Sequence, residues 1–480
     1  MTDNQAFSVL SGKVLVAGAG VSGIGCARLL TGLGVDTTIA DDNTDALARA
    51  VAETDDRARG IDVAEARGRL MEYSTLVTSP GWRPDSPLLV DAAFANCEVI
   101  GDVELAYRLD RAGVFGPPRT WLVVTGTNGK TTTTAMLAAM MAETGKDTGL
   151  RAAAVGNIGV AVTDALVESE RIDILVAELS SFQLHWSSQL TPDAGVLLNL
   201  ADDHIDWHGS FFNYVAAKAK VLTAPVAVAG IDDGRVREQL RKVPPANLIG
   251  FTLDEPRHGD FGVSHGMLVD NTGADPVALA RATGIEPPGP AGVLDALAAA
   301  AVARSQGARP EHIAAALRSF SVAGHRGQTV ETRGGVRFID NSKATNPHAA
   351  DAAMSGLSSV IWVAGGQLKG ADITGLVAGH AERIKAAAVL GVDRSQFAKA
   401  LERHAPHTML RITDSTDPSG AMDELIDWAV SIAEPGDTVL LAPAAASLDM
   451  YTGMAQRGDL FTEAVVRHSD RLERKQETLP

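Results

Sequence analysis

Cysteine is scarce in this sequence. Only Cys26 and Cys97 occur among 480 residues, too few for a disulfide framework or for a structural zinc site built from thiolates. A single bridge between the two cysteines stays open at this level. So low a count is typical of proteins in a reducing compartment, and we expect a cytoplasmic location.

An excess of basic residues is also missing. Lysine and arginine number 42 against 59 aspartates and glutamates, which gives a formal net charge of -17. Proteins that bind nucleic acid along its phosphate backbone need clustered positive charge. We therefore expect no nucleic-acid partner, and any phosphate ligand must be bound by a few local groups.

Long apolar runs are absent as well. Residues Met1 to Lys13 lack a basic stretch followed by an apolar core, and later apolar stretches are interrupted by charge well before the roughly 18 residues that span a membrane. We expect a soluble, unexported protein without a membrane partner. The composition, 45% hydrophobic and 21% charged, is that of an ordinary globular chain.

What the sequence does contain is an alternation of short Val-, Ile- and Leu-rich runs with longer Ala-rich segments of helical period. This pattern predicts an α/β fold, with parallel sheets flanked by helices. The predicted strands are 13–17, 120–125, 173–178, 194–199, 360–364, 386–390 and 438–442, and the predicted helices include 130–143, 211–222, 293–305, 346–355 and 421–433.

Two segments rich in proline and glycine divide the chain. One is Gly116-Pro117-Pro118 and the other covers residues 321–327. Since 480 residues exceed what one hydrophobic core usually organises, these segments indicate domain boundaries. We predict three domains, over residues 1–116, 117–321 and 322–480.

A glycine fingerprint follows the first predicted strand. Gly18-Ala19-Gly20-Val21-Ser22-Gly23 has the spacing of a dinucleotide-binding turn, and Asp41 and Asp42 follow at the distance expected for a ribose contact. By itself this pattern suggests an NAD-dependent dehydrogenase. The turn only guarantees backbone N–H groups near a diphosphate, however, and a UDP-sugar or a purely structural turn fits it too.

The strongest chemical signal is the segment Thr125-Gly126-Thr127-Asn128-Gly129-Lys130-Thr131-Thr132, placed between a strand and a helix. Such a loop directs N–H groups at phosphate oxygens, while Lys130 supplies positive charge and a threonine hydroxyl can hold Mg²⁺. The loop is shorter than the full Walker spacing, because Val124 stands where the first glycine would be.

Acidic and imidazole groups follow two further strands. Glu178 ends one strand, and Asp203 and His204 come just beyond another, where α/β sheets bind their ligands. Oxygen ligands with one imidazole suit Mg²⁺ or Mn²⁺ better than zinc. A helix N-terminal acid is the plainer interpretation of Glu178.

Lys218 lies on the apolar stripe of its predicted helix, four residues after Tyr214 and four before Leu222. Its spacing favours a lysine whose stem packs while its amine reaches water. The alternative is a buried amine of lowered pKa that reacts with CO₂ and becomes a metal-binding carbamate.

Three polar loops follow strands in the last third of the chain. They contain Asp340 to Pro347, Gly365 to Lys369 and Pro443 to Asp449. Helix entry explains Thr345 or Asn346 as a cap. It leaves Lys343 unexplained, and three such loops at one sheet edge favour a binding site.

Over nearly its whole length the chain resembles the Mur ligases. The nucleotide loop is common to Mur ligases and folylpolyglutamate synthases, whereas Leu179 to Gln183 and Ser342 to Asn346 are similar to the D-glutamate-adding branch. The phrases that carry the resemblance are Gly18 to Gly23, Ser79-Pro80-Gly81, Thr125 to Thr132, Gly156-Asn157-Ile158-Gly159, Glu178 to Gln183, Asp203-His204, Ala216-Ala217-Lys218, His325-Arg326, Ser342 to Asn346, Ser447-Leu448-Asp449 and Gln456-Arg457-Gly458.

The resemblance implies an N-terminal Rossmann-like domain for UDP, a central P-loop ATPase-like parallel sheet, and a C-terminal Rossmann-like domain that closes over the site. It implies ATP-dependent addition of D-glutamate to UDP-N-acetylmuramoyl-L-alanine through an acyl-phosphate, in peptidoglycan precursor synthesis. The partners are those two substrates and ATP, with two Mg²⁺ ions and a carbamylated Lys218, and we expect a monomer.

The resemblance also implies residue roles. Lys130, His204, Lys218 and Lys343 are the catalytic candidates. Thr131, Glu178, His204 and Lys218 are the metal candidates. ATP is expected at Gly126, Thr127, Asn128, Gly129, Lys130, Thr131, Thr132, Arg326 and Asn341. The substrates are expected at Ala19, Gly20, Val21, Ser22, Asp41, Ser79, Pro80, Gly81, Asn157, Ser180, Gln183, Thr345, Lys369, Ser447 and Met454.

Two departures limit this comparison. Residues Gly289 to Asp295 replace the family phrase Gly-x-His-Asn-x-x-Asn, so adenine contacts there do not carry over. Asn341 stands where the family has Asp, with Asp340 one place earlier. Three alternatives stay open: a folylpolyglutamate-type or other Mur ligase, an NAD-dependent oxidoreductase, and a nucleotide-binding regulator.

Overall fold

A computed structural model describes residue 10, residues 12–321 and residues 324–477. Residues 1–9 and 11, which form most of the N-terminal segment predicted to contain no leader, lie outside the described residues. Residues 322 and 323 of the second predicted junction also lie outside them. The fold is α/β with three sheets, as the sequence pattern predicts. Within the described ranges, no helix has both the length and the apolar character needed to cross a bilayer.

The first sheet has five parallel strands in the order β3-β2-β1-β4-β5. Its strands are β1 (Lys13–Ala17), β2 (Thr37–Ala40), β3 (Arg59–Ile61), β4 (Tyr73–Thr78) and β5 (Glu98–Gly101), and its helices are α1 (Val21–Gly32), α2 (Thr44–Ala52), α3 (Val63–Gly68), α4 (Pro87–Phe94) and α5 (Asp102–Arg111), with a 3₁₀ turn at Leu70–Glu72.

The central sheet has nine strands in the order β14-β13-β12-β11-β10-β9-β6-β8-β7, antiparallel only within β12-β13-β14. Its strands are β6 (Thr120–Thr125), β7 (Ala152–Gly156), β8 (Ile174–Glu178), β9 (Ala194–Leu197), β10 (Val226–Gly230), β11 (Leu248–Phe251), β12 (Phe261–Ser264), β13 (Met267–Asp270) and β14 (Val277–Arg281). Its helices are α6 (Lys130–Thr148), α7 (Val162–Val167), α8 (Ser181–His185), α9 (Ile205–His208), α10 (Phe211–Ala219), α11 (Gly234–Lys242), α12 (Pro290–Ser305) and α13 (Pro310–Ser319), with a 3₁₀ turn at Lys220–Thr223.

The third sheet has six strands in the order β15-β16-β20-β17-β18-β19, and only the β15-β16 hairpin is antiparallel. Its strands are β15 (Gln328–Arg333), β16 (Val336–Asp340), β17 (Val360–Gly365), β18 (Ile384–Leu390), β19 (Met409–Ile412) and β20 (Thr438–Leu441). Its helices are α14 (Pro347–Met354), α15 (Thr374–His380), α16 (Arg394–His404), α17 (Pro418–Ile432), α18 (Met454–His468) and α19 (Asp470–Glu477).

The chain forms two compact units. One reaches to Ala282 and includes Leu294–Ser319, and the other contains Thr283–Val293 and everything from Phe320 onward. In the first unit, one apolar core joins the two sheets, with Leu105 and Leu109 of α5 in the same cluster as Leu166 and Leu184. The third sheet has apolar clusters of its own. The three predicted domain ranges stay a prediction.

Some sequence predictions need correction. The helix predicted over 211–222 ends at Ala219 and tightens into the 3₁₀ turn. The helix predicted over 130–143 continues to Thr148, where Gly149 at φ +75° ends it. Asn346 is the cap of α14, since its side chain accepts from Ala349 N–H. Both cysteines are buried thiols, so the bridge left open above is not formed.

Candidate active site

The ATP-loop candidate connects β6 to α6. Gly129 adopts φ +82° at the helix start, a conformation that favours glycine. The segment after the neighbouring strand β9 anchors the loop, because the Asn199 carbonyl accepts from Thr127 N–H at 3.0 Å and its Oδ1 accepts from Asn128 N–H at 2.8 Å. A fixed loop ahead of a helix N-terminus can receive phosphate oxygens.

Two lysines converge on this loop from different helices. Lys130 Nζ donates to the carbonyls of Gly126, at 3.0 Å, and Thr127, at 2.8 Å. Lys218 Nζ donates to the same Gly126 carbonyl at 2.7 Å and lies 3.3 Å from Thr125 Oγ1. Both candidates therefore lie at the loop, although they are far apart in sequence.

Lys218 is one of the largest fully buried side chains of the described protein. The interpretation favoured by its spacing, an amine that reaches water, is wrong. The whole side chain is enclosed, with the amine 5.0 Å from the Tyr214 ring centre. Burial, followed by the positive charge of Lys130, lowers the pKa of Lys218 well below its ordinary value.

Glu178 ends β8 directly beside the loop, because it pairs in register with Val124 of β6. Its carboxylate is buried, and Oε1 accepts from Asn157 Nδ2 at 2.8 Å. In the described part of the chain, Oε2 is buried without a hydrogen-bond partner. A buried carboxylate oxygen without a hydrogen-bond partner is costly, so this position favours binding of a cation or of a hydrogen-bond donor.

Asp203 and His204 follow β9 on the other side of β6. His204 adopts φ +52°, with its side chain 49% exposed and its Nε2 3.5 Å from Asp203 Oδ2. Its ring lies 4.7 Å from that of Phe182. Burial is the main cause that lowers the pKa of His204, which favours the neutral imidazole that binds metals.

The groups beside the ATP loop include candidate magnesium ligands. No cluster of three or more His, Cys, Asp or Glu side chains is poised to bind a metal in the ranges described. Glu178 Oε2 nevertheless needs a partner, and Thr131 stands at the start of α6. The Glu178 carboxylate and the Thr131 hydroxyl are oxygen donors, and their chemistry fits Mg²⁺.

The glycine fingerprint of the first sheet borders an open cleft of about 670 Å³. Asp41 Oδ2 accepts from Ala19 N–H at 2.7 Å, so this carboxylate holds the turn that precedes α1. A β-carbon on Gly23 would lie 1.8 Å from the Gly18 carbonyl oxygen. The cleft is lined by Gly18, Gly20, Val21, Ser22, Ser79, Pro80, Gly81, Trp82, Arg83 and Ser86.

Three lining residues were missed from the sequence. Trp82, Arg83 and Ser86 belong to the same cleft as the candidate residues. The available signal was that Trp82 and Arg83 come directly after the Ser79-Pro80-Gly81 phrase. An indole and a guanidinium there can contact a flat base and an anionic phosphate respectively.

Asp102, the first residue of α5, was missed as well. Its carboxylate accepts hydrogen bonds from the Ser22 and Gln183 side chains, and burial raises its pKa. Gln183 also completes a capping box with Ser180 at the start of α8. Asp102 therefore joins the glycine turn of the first sheet to the Leu179–Gln183 phrase of the central sheet.

The three polar loops of the third sheet follow β16, β20 and β17, which are adjacent in that order. This confirms that they share one sheet edge. The β16 loop contains Lys343 and Thr345, the β17 loop contains Lys369 at φ +52°, and the β20 loop contains Ser447. Met454, at the start of α18, accepts from Ser342 Oγ through its carbonyl at 2.7 Å.

The acidic residue of the β16 loop is Asp340, not Asn341. Asp340 is buried, and its Oδ2 lies 2.6 Å from His325 Nδ1. Its Oδ1 accepts from Ser342 N–H at 2.9 Å. Asn341 donates its N–H to the Leu441 carbonyl at 2.8 Å. Asp340 therefore shapes the loop, and the ATP role expected for Asn341 stays a prediction.

Asp295 ends the phrase that departs from the family pattern, and its carboxyl lies against the ATP loop. Oδ1 accepts from Thr133 Oγ1 at 3.0 Å, and a β-carbon on Gly129 would lie only 2.3 Å from Oδ1. Burial raises the pKa of Asp295 to about 8. The residue therefore supports the loop as a neutral acid at pH 7.

The fold and the site define a multidomain nucleotide-binding protein, and comparison with known proteins gives its family. Residues 124–266 match the Mur ligase middle domain, and residues 325–445 match the Mur ligase glutamate ligase domain. The chain belongs to the Mur ligase family, which confirms the resemblance seen in its motifs.

The relatives are similar over almost their whole length. The chain is 63% identical over 457 residues to the UDP-N-acetylmuramoylalanine–D-glutamate ligase of Corynebacterium efficiens, with 95% of each chain covered. It is 59% identical over 464 residues to the ligase of the same name from Corynebacterium diphtheriae, with 96% of each covered. Its fold is similar to that of MurF from Acinetobacter baumannii, with a TM-score of 0.58 over 96% of this chain and 98% of the other at 15% identity.

Proposed function

We propose that this protein is an ATP-dependent ligase that joins D-glutamate to UDP-N-acetylmuramoyl-L-alanine in peptidoglycan precursor synthesis. The observation that carries the proposal is the grouping of Lys130, Lys218 and Glu178 around the loop at Gly126. Neither a dehydrogenase nor a simple nucleotide sensor needs a second, fully buried lysine there. The activity named for the close relatives supports the choice of substrates.

The reaction consists of two transfers. A carboxylate oxygen of the alanyl residue attacks the γ-phosphorus of ATP, and the bond to the β-phosphate oxygen breaks to give ADP and an acyl-phosphate. The amine nitrogen of D-glutamate then attacks the acyl carbon, loses a proton, and expels phosphate. Such transfers depend on positioning and on neutralising negative charge, so no nucleophilic side chain is required.

The ATP loop binds the phosphates through its N–H groups and through Lys130. In the structure, the Lys130 amine donates to two carbonyls of its own loop. A phosphate oxygen is a stronger, charged acceptor than a carbonyl. The amine therefore exchanges the carbonyl of Thr127 for the β/γ-phosphate region when ATP binds, which places positive charge where negative charge develops.

Magnesium is proposed at Thr131, Glu178, His204 and a carbamate on Lys218, with two ions expected in all. When bound, it neutralises charge on the ATP phosphates. The carbamate forms when the neutral Lys218 amine attacks CO₂ and releases a proton. Among the described residues, the enclosed amine donates to Thr125 and Gly126 and to no carboxylate. Carbamylation turns it into an anion that can face the same cation as Glu178 Oε2.

The remaining site residues separate into two groups. The cleft at the first glycine turn is proposed to bind the UDP diphosphate, with Asp41 holding the turn and Asp102 connecting it to Gln183. The loops of the third sheet are proposed to bind D-glutamate, because Lys343 and Lys369 supply the positive charge that its two carboxylates need. The contact expected between Asn157 and the UDP substrate stays a proposal, since its amide donates to Glu178 here.

We further propose that the enzyme works in the cytoplasm as a monomer. Two buried thiols and no disulfide among the described residues are consistent with a reducing compartment. The formal charge of -17 disfavours nucleic acid as a partner.

Phosphate release tests the proposed function directly. The enzyme is incubated with ATP, Mg²⁺ and UDP-N-acetylmuramoyl-L-alanine, and D-glutamate is compared with L-glutamate, L-lysine and D-alanine. We expect release that depends on D-glutamate. Release with another acceptor would keep the ligase mechanism and overturn the substrate, and no release with any acceptor would favour the regulator.

A further inference from the structure

Arg457, near the start of α18, is completely buried in the C-terminal unit. Its guanidinium donates to loop groups only: Nη2 to the Ser342 carbonyl at 2.9 Å and Nε to Ser342 Oγ at 3.1 Å. Nη1 donates to the carbonyls of Ala445, at 3.2 Å, and Gly365, at 3.4 Å. One side chain therefore joins all three loops at the ends of β16, β20 and β17.

This arrangement is unusual for a buried cation. No carboxylate accepts a hydrogen bond from Arg457 in the described part of the unit, and burial lowers its pKa to about 10. A buried charge without a paired anion is costly, and apolar residues often stabilise a core equally well. Stability alone is therefore a poor explanation for an arginine here.

The loops and the start of α18 are closely packed around Arg457. A β-carbon on Gly366 would lie 2.2 Å from the Ala446 carbonyl oxygen and 3.3 Å from Arg457 Nη1. A β-carbon on Gly458 would lie 2.0 Å from His325 Nδ1, in the pair that His325 forms with Asp340. The start of α18 thus packs directly against the loops, and the guanidinium donates to carbonyls of all three.

We propose that Arg457 is a positioning residue that sets the spacing of the three loops and thereby the affinity for the incoming amino acid. The inference rests on the proposed function, in which these loops bind D-glutamate. Each loop held by Arg457 carries a candidate ligand group: Thr345 on the first, Lys369 on the second and Ser447 on the third. Backbone hydrogen bonds link the loops in pairs, from Gln367 N–H to the Ala446 carbonyl at 2.8 Å and from Ala444 N–H to the Ala344 carbonyl at 2.9 Å. The Arg457 guanidinium adds a side-chain support that all three loops share.

Steady-state kinetics of Arg457→Ala and Arg457→Lys tests the inference, with phosphate release as the assay. We expect KM for D-glutamate to rise about tenfold or more, the scale of losing a charge-assisted hydrogen bond, while KM for ATP changes less than about twofold. Lysine has a single ammonium group and cannot reproduce the planar set of N–H donors of the guanidinium. Both variants should therefore be impaired. Added guanidinium ion should lower KM for D-glutamate in the alanine variant, whereas methylammonium should not.

Arg467→Ala is the matched control, because this arginine lies on the same helix with a side chain 48% exposed. It should behave like the unsubstituted enzyme. If the alanine variant is not recovered folded, as judged by circular dichroism, Arg457→Lys carries the same comparison. A folded variant with unchanged KM for D-glutamate, or with KM for ATP raised equally, overturns the inference. An unsubstituted enzyme that shows no D-glutamate-dependent release overturns the proposed function itself.

Discussion

Gly126 is the residue at which the two lysines of the ATP site meet. Its carbonyl accepts from both Lys130 and Lys218, so their amines crowd one oxygen and both have lowered pKa values, chiefly because of burial. Two ammonium groups this close repel each other unless anions separate them. On the proposed function, ATP phosphates supply anions to Lys130, and carbamylation would convert the Lys218 amine itself into an anion.

Removal of the Lys130 amine should slow the reaction without unfolding the protein. Lys130→Met keeps most of the stem and removes the charge, and we expect kcat/KM to fall by on the order of 10² to 10³ in the phosphate-release assay. Lys146→Met is the control, because it lies on the same helix with a side chain 67% exposed. Near-normal turnover of Lys130→Met would mean that the ATP site is elsewhere.

Substitution of Lys218 tests the carbamate. Lys218→Ala should lose activity, and bicarbonate or a short carboxylate such as formate should partly restore it by replacing the missing anion. Lys218→Arg should stay inactive under the same conditions, because its guanidinium keeps the charge and forms no carbamate. The ¹³C NMR spectrum of the unsubstituted enzyme in labelled bicarbonate should show a carbamate signal, and full activity of Lys218→Ala would contradict the idea.

Asp295 predicts a dependence of stability on pH. Its pKa of about 8 in the folded protein lies above the ordinary aspartate value near 3.9. The folded state therefore holds the proton longer than the unfolded chain, and its stability should fall as pH rises from about 4 to about 8. Asp295→Asn, which cannot ionise, should lose this part of the dependence.

Thermal melting at pH 5, 7 and 9 measures this effect. The melting temperature of Asp295→Asn minus that of the unsubstituted protein should increase from pH 5 to pH 7 and again from pH 7 to pH 9. The exposed Asp275 provides the control substitution, Asp275→Asn. Parallel melting curves for Asp295→Asn and the unsubstituted protein across the series would show that the buried carboxyl does not titrate in this range.

At the scale of single elements, the glycine turn before α1 depends on close packing. A β-carbon on Gly23 would meet the Gly18 carbonyl oxygen at 1.8 Å, so the helix would have to move away from the turn. Gly23→Ala should therefore weaken binding of the UDP substrate by about tenfold or more, measured by calorimetry. Gly32→Ala, in the same helix with open space around it, should bind normally and be slightly more stable.

The elements themselves were mostly predictable. Strands such as Lys13–Ala17 and Thr120–Thr125 agree with the sequence pattern at both ends, because buried parallel strands are short, uniformly apolar runs. The antiparallel extension of the central sheet, β12 to β14, was not predicted. Its strands are four or five residues long and contain both apolar and polar residues. The sequence therefore shows no clear strand periodicity there.

At the scale of the whole molecule, the candidate phosphate and amino-acid groups belong to different compact units. The loop at Gly126 is in the first unit, and the loops of the third sheet are in the second. On the proposed function both sets of groups serve one reaction, and we predict closure of the C-terminal domain when the substrates bind. Small-angle scattering should therefore change on addition of ATP, Mg²⁺ and UDP-N-acetylmuramoyl-L-alanine, and superimposable profiles would contradict closure.

The sequence by itself determined the α/β class, the family and the positions of the chemistry-bearing loops, because these depend on local glycine spacing and on strand pattern. Tertiary structure alone decided how those groups are used. Spacing could not tell whether the Lys218 amine reaches water, that Asp295 supports Gly129, or that Arg457 joins three loops. Each of these contacts links residues far apart in the chain, and the burial that sets their charge states exists only once the layers have packed.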